Sequence, residues 1–272
     1  MHNPIRRNRN IGTAKSGYSK NNKLVVPFKW ADYKVFWERL SDPVIYPISI
    51  NEHEITMFVE PVRDGYVHAS TPADIISVLK LIPQEHIEEI EVIVLRQPKK
   101  KEEILRSVWG RFVYYADFGR YSGAGVYLEA VKKNAVINWS KKLSPFEQKE
   151  LKALQDDGHV IKAVKRGFEI HTTPNTVRNT QLFRTLPHEI GHAIDYLKNS
   201  FEPMIEANSE EEEDYISNVF DSKPSLDKEE YANRYARHFK EKWSEKGCIP
   251  FDRVFDQKAL FSAGFDPKWF EY

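Results

Sequence analysis

The chain has 272 residues, 41% of them apolar and 13% aromatic, enough for a large packed core and too much for wholesale disorder. Lysine plus arginine and aspartate plus glutamate both number 40, so no net charge draws the chain as a whole to nucleic acid, a membrane or a polyanionic substrate. One cysteine, Cys248, excludes an intrachain disulfide framework and a CxxC zinc ribbon, and no run approaches the ~18 apolar residues of a membrane span, so no membrane partner is expected.

Residues 1–23 hold six Lys/Arg and no Asp or Glu. They read as a disordered basic tail, the one place where nucleic acid or another anionic partner would dock. The tail lacks the apolar stretch of a secretory signal, so cytoplasmic residence is expected. Residues 24–272 read as one domain, an α/β part over 24–173 followed by a helical part over 174–272. ADYKVFWERL (31–40) places Tyr33, Phe36, Trp37 and Leu40 at helical spacing, and ISINEHEITMFVE (48–60) alternates as one or two strands. TPADIISVLKLI (71–82) is a predicted helix with Thr71 as N-cap and Pro72 at its first position, where a missing N–H costs nothing. Three strand-like runs follow: IEVIVLRQ (90–97), GRFVYYADFG (110–119) and GVYLEAVKKNAVINWS (125–140), the last read as a hairpin. SPFEQKELKAL begins with a serine cap and is helical, and GFEIHTT (167–173) is a strand before Pro174. The rest is helical except for the acidic EANSEEEED (206–214), read as a solvated loop. Helix and strands first and helices afterwards predict an α+β fold rather than an alternating parallel one.

The chemistry concentrates in RTLPHEIGHAIDYL (184–197). His188 and His192 stand four apart, on one face of a helix, and can offer two imidazole nitrogens to one Zn²⁺. Glu189 is rotated by one residue, within reach of a water on the metal without being a ligand, the placement of a general base. Ile190 and Ala193 can face the core, and Gly191 keeps the surface between the histidines small. A catalytic zinc needs a third protein donor and one open position. Asp195 and Lys198 stand where a metzincin has glycine and a third histidine, which excludes that class. His238 is the one histidine after His192, and Asp195 is better placed to orient a ligand than to be one. Glu229 fits best. In DKEEYANRYARHF, Asp227 reads as an N-cap boxed with Glu230, leaving Glu229 on a face shared with Ala232, Asn233 and Ala236. Two alanines there permit close approach of the helices, and Asn233 could orient a ligating histidine.

HEIGHAID followed by EEYANRYA resembles the gluzincin branch of zinc metallopeptidases, in particular the family of the anthrax lethal factor catalytic domain, and is similar to small bacterial proteases of the ImmA/IrrE type. The likeness covers 176–243 with specific motifs and, upstream, only the order of elements. It implies a zincin-like fold, a small mixed sheet with a backing helix, the HExxH helix, and a helical C-terminal part carrying the glutamate ligand. It also implies His188, His192 and Glu229 as zinc ligands, Glu189 as base, and a protein or peptide substrate. Pro187 departs from the relatives, and the metal helix is expected to begin near Thr185 or to kink there. Tyr215, Tyr235 and His238 are candidates to steady a developing oxyanion. An extended substrate would pair with an edge strand supplied by GFEIHTT or GVYLEAV. The alternative function is an inactive interaction module that binds an anionic partner through its tail.

Overall fold

Alternating apolar residues in VIYPISI and HEITMFV form strands β1 (Val44–Ile50) and β2 (His53–Val59), paired antiparallel in the computed structural model. Asn51 and Glu52, both at positive φ, close the tight turn between them. The structure describes residues 35, 37–99 and 109–272; the 1–23 tail and half of the 31–40 segment lie outside these, and residues 37–40 hold a turn and not a helix. The chain divides into two units, Met1–Arg39 and Leu40–Tyr272, and the second holds every regular element of the described residues.

The architecture of that unit is mixed α+β. Five strands form one sheet in the order β1-β2-β4-β6-β5, with β4 (Val92–Arg96), β5 (Gly110–Asp117) and β6 (Ser122–Glu129). The β2–β4 and β4–β6 pairs are parallel, the outer pairs antiparallel. The central VIVLR of β4 is buried along its whole length, as a strand covered on both faces must be. Helix α1 (Pro72–Leu79) begins as expected: Thr71 caps it in a reciprocal box with Asp74, and Pro72 fills the first position. Short helix α2 (Gln84–Ile87) follows.

The run 125–140 is not a hairpin. β6 ends at Glu129 inside the large sheet; β3 (Tyr66–Val67) and β7 (Val131–Lys132) pair as a two-stranded ribbon. β8 (Ala135–Ser140) joins a separate three-stranded sheet, β8-β10-β9, with β9 (Val160–Val164) and β10 (Gly167–Thr172). Helix α3 (Pro145–Asp156), capped by Ser144 as expected, connects β8 to β9. GVYLEAV therefore lies mostly in β6 and GFEIHTT in β10, both interior strands of their sheets, and only Val131 passes into the β3–β7 ribbon. The long-range pairing of β6 with β4 and β5 uses up its backbone groups, and β10 is paired on both sides.

From Pro174 to Ile205 the backbone is one helical run: α4 (Pro174–Thr180), a π-turn (Gln181–Thr185), α5 (Leu186–Tyr196), a second π-turn (Leu197–Phe201) and α6 (Glu202–Ile205). The regular α-helix begins at Leu186, next to Thr185 as expected, but Thr185 has helical angles and caps nothing. Pro187 has no N–H to donate, and its ring would press on the carbonyl four residues back in a regular α-helix. The π-turn removes the conflict, with the Leu186 N–H reaching five residues back to the Gln181 carbonyl. Pro203 follows the second π-turn at the same offset.

Two further expectations change. EEEED is the first turn of helix α7 (Glu210–Ser222), capped by Ser209, where its carboxylates face the positive end of the helix dipole. Asp227 is not a cap, because α8 (Ser225–Glu245) starts after Pro224 and takes Asp227 into its first turn. The last elements are α9 (Gln257–Ser262) and a 3₁₀ turn (Pro267–Phe270). One face of the large sheet packs on α1, on α5 through Leu186, Ile190 and Ile194, and on Phe239 of α8, forming one core. No helix of the described residues is long and apolar enough to cross a membrane.

Candidate metal centre

α5 stays close to the sheet because its inward residues, Ile190, Ala193 and Ile194, are buried, which turns His188 and His192 to the opposite face. Their Nε2 atoms stand 3.2 Å apart. Glu229 of α8 completes the group, with Oε2 3.4 Å from His188 Nε2 and Oε1 3.7 Å from His192 Nε2. Single donor atoms of the three residues all lie within 4.8 Å of one another and could hold a metal ion. The histidine side chains are mostly covered, whereas Glu229 is 47% exposed, so the group opens on the Glu229 side.

Helix packing sets these distances. A β-carbon on Gly191 would lie 2.9 Å from the Ala232 Cα and 3.0 Å from the Tyr235 Cβ, so only glycine admits α8 at this separation. Ala232 and Ala236 are buried at the same interface. Asn233, one turn beyond Glu229, lies beside the His188 ring. Burial opposes protonation of His188, but Glu229, Glu189 and Asn233 outweigh it and the ring's pKa is raised. The His192 ring goes the other way, lowered by burial and by the neighbouring His188.

Glu189 lies beside the donor group, 7% exposed. Burial pushes its carboxyl up to about 7, partly offset by His188, by Arg111 and by a hydrogen bond from the backbone N–H of Phe112. Phe112 is on β5, the edge strand next to β6. Among the described residues β5 has no strand on its other side. The approach of β5 to the helical run is fixed at the strand's start. A β-carbon on Gly110 would lie 2.7 Å from the Thr185 methyl group, and Gln181 Nε2, in the π-turn, donates to the Trp109 and Glu129 carbonyls at 3.1 and 2.8 Å. Arg184 ties the same turn to α3 through Glu150 and Asp157, and Arg178 ties α4 to Asp74 of α1.

Asp195 is brought near His192 but binds other groups: both its oxygens accept from Lys223 Nζ, at 2.9 and 3.0 Å, and Oδ1 also accepts from Asn199. Tyr215 stands 69% exposed on α7. Tyr235 is turned to α2, its hydroxyl 2.8 Å from His86 Nδ1, and His238 is exposed on α8. Sequence reasoning missed an aromatic group instead. Tyr196, one turn beyond His192, stacks edge-on with Tyr114 of β5 and Phe220 of α7 at 5.1 and 5.5 Å. A β-bulge between Val113 and Ala116 reaims this part of β5. Burial raises the Tyr114 hydroxyl to about 12, helped by Asp195, Asp221 and Glu229 nearby. The spacing of Tyr196 from His192 was a usable signal; nothing local marked Tyr114. In comparisons with known proteins, no protein-family model, no curated protein and no solved structure matches this chain.

Proposed function

We propose that the chain is a zinc-dependent endopeptidase of the gluzincin kind, its α+β framework being zincin-like, acting on a protein or peptide. The observation that carries this reading is the convergence of His188, His192 and Glu229 from two helices, with the buried Glu189 beside them but outside the donor set. Donors 2.0–2.1 Å from a tetrahedral zinc lie about 3.3 Å apart. The two Nε2 atoms, 3.2 Å apart, fit that requirement, and the two Glu229 oxygens, one 3.4 Å from His188 and the other 3.7 Å from His192, approach it. Three protein donors leave one position for water or substrate, the arrangement of a catalytic rather than a structural site.

When bound, zinc would polarise the scissile carbonyl and lower the pKa of the attacking water. Glu189 takes a proton from that water and delivers it to the leaving amine, its burial favouring the protonated form that the second transfer needs. Phe112 holds the Glu189 carboxylate in place through its N–H, and Asn233 orients the His188 ring. The free edge of β5 offers backbone groups for an extended peptide to pair with.

The test is metal content by elemental mass spectrometry after the same mild chelator wash, together with digestion of a peptide library. About one zinc per wild-type chain is expected, with a sharp drop in Glu229→Ala. Cleavage should vanish in Glu189→Gln while its zinc remains. A wild type that takes no zinc even on reconstitution sinks the proposal.

A further inference from the structure

Four cations stand together at one end of the three-stranded sheet. Gly167 of β10 pairs with Ser140 of β8 and with Val164 of β9. Lys141 and Lys142, which leave β8, therefore meet Lys165 and Arg166, which join β9 to β10. The opposite end is tied to the rest of the unit: the buried His159 ring meets the Thr180 hydroxyl of α4 at 3.0 Å. Helix α4 starts there, after Thr172. The six residues of β10 span roughly 20 Å between the two ends.

All four cations at the free end are exposed, and among the described residues no carboxylate pairs with any of their side chains. The acid next in sequence, Glu147, is turned back onto the Ser144 N–H in the capping box. Glu169, farther along β10, contacts His171. Helix α3 also starts at this end, and its first turn presents Phe146, 54% exposed; Val164, at the end of β9, is 40% exposed.

We propose that this end of the small sheet is a docking surface for an anionic lipid bilayer. Cations confined to two neighbouring turns beside an exposed phenylalanine suit a surface where headgroups neutralise charge and a ring enters the acyl boundary. A nucleic-acid duplex is met instead by a run of cations along a groove or a helix face, which these two turns do not form. Each cation close to an anionic surface strengthens attachment roughly fivefold. Attachment of this kind is peripheral and needs no spanning segment. The proposal is independent of the metal centre, which is built from the helical run that starts at the other end of β10.

The experiment is co-sedimentation of the full chain with phosphatidylcholine vesicles, with and without about one third phosphatidylserine, in about 0.1 M NaCl. Binding to the phosphatidylserine vesicles alone is expected. It should fall tenfold or more, roughly, when Lys141, Lys142, Lys165 and Arg166 are all changed to glutamine. Phe146→Ser should weaken it separately, with the salt dependence retained. The basic segment 1–23 is present in every variant, so a quadruple variant that binds like the wild type overturns the proposal, as does a wild type that ignores the anionic vesicles. Phe146→Ser binding like the wild type overturns it too. A duplex oligonucleotide bound as tightly as the vesicles, and released by the same quadruple change, would assign the surface to nucleic acid instead. The substituted side chains are exposed, and unchanged thermal melts should confirm that each variant is folded.

Discussion

Gly191 and Ala232 meet across the two helices that carry the candidate metal donors, and a β-carbon on Gly191 would stand 2.9 Å from the Ala232 Cα. Alanine at 191 would gain up to about 1 kcal/mol of helix propensity, but overpacking costs about 1–3 kcal/mol. The contact is with backbone, so α8 must move and carry Glu229 with it. Gly191→Ala is expected to lower stability by about 1 kcal/mol and metal affinity roughly tenfold or more. Urea melts and competition with a chelating dye check both; unchanged metal affinity would refute the close-approach argument.

Metal removal should expose the same coupling. A ligand present at 1,000 times its dissociation constant stabilises the folded state by about 4 kcal/mol. Wild-type Tm should therefore rise with added zinc and fall with chelator, while Glu229→Ala stays nearly flat. The readout is a thermal melt at two metal concentrations.

Gln181 is a buried amide whose two bonds hold the start of β5 and the end of β6 onto the π-turn. Gln181→Leu strands two carbonyls and loosens the edge strand, at a cost of about 1–3 kcal/mol. Zinc content should be retained, because no metal donor is touched. Turnover should fall, and hydrogen exchange at the Phe112 amide should accelerate. Unchanged exchange there would count against Gln181 as the anchor.

His68 supplies a pH dependence away from the candidate metal centre. It is 2% exposed, donates through Nε2 to the Glu60 carbonyl, and burial lowers its pKa to about 4. The unfolded chain, with an ordinary imidazole, then binds more protons than the folded one between about pH 6.5 and 4. Stability from this group is complete above that window and is lost as pH falls through it, by up to about 3 kcal/mol. His68→Gln should flatten the decline in the urea midpoint between pH 7 and about pH 5; an equal slope in both proteins would exclude His68 as its source.

Where local rules decide, the fold was legible. Thr71, Pro72 and Asp74 mark the start of α1 within four residues, and the hydrophobic alternation of β1 and β2 needs no distant partner. The meeting of His188, His192 and Glu229 was legible because helical spacing and the two alanines on the Glu229 face both act along single helices. What failed depends on distant chain. β6 could have turned back on β8, and only the hydrogen bonds offered by β4 and β5 decide otherwise. Tyr114 reaches Tyr196 across a strand–helix contact that no spacing encodes. The helical state of EEEED is a different case, because Ser209 three residues before Glu212 is a capping signal that was present and overlooked.

A π-turn is an α-helix with one residue inserted, and one residue of α-helix is a rotation of about 100°. The insertion at Gln181–Thr185 thus acts as an offset in a shaft. Upstream of it, Arg178 engages Asp74; downstream, Leu186, Ile190 and Ile194 face the sheet while the two histidines face outward. Deleting one residue from the turn would restore a regular helix and keep every side chain's chemistry, yet rotate the two halves out of phase. Either the anchor at Arg178 or the aim of His188 and Glu189 would then be lost, with Pro187 once more pressed against the carbonyl four residues behind it.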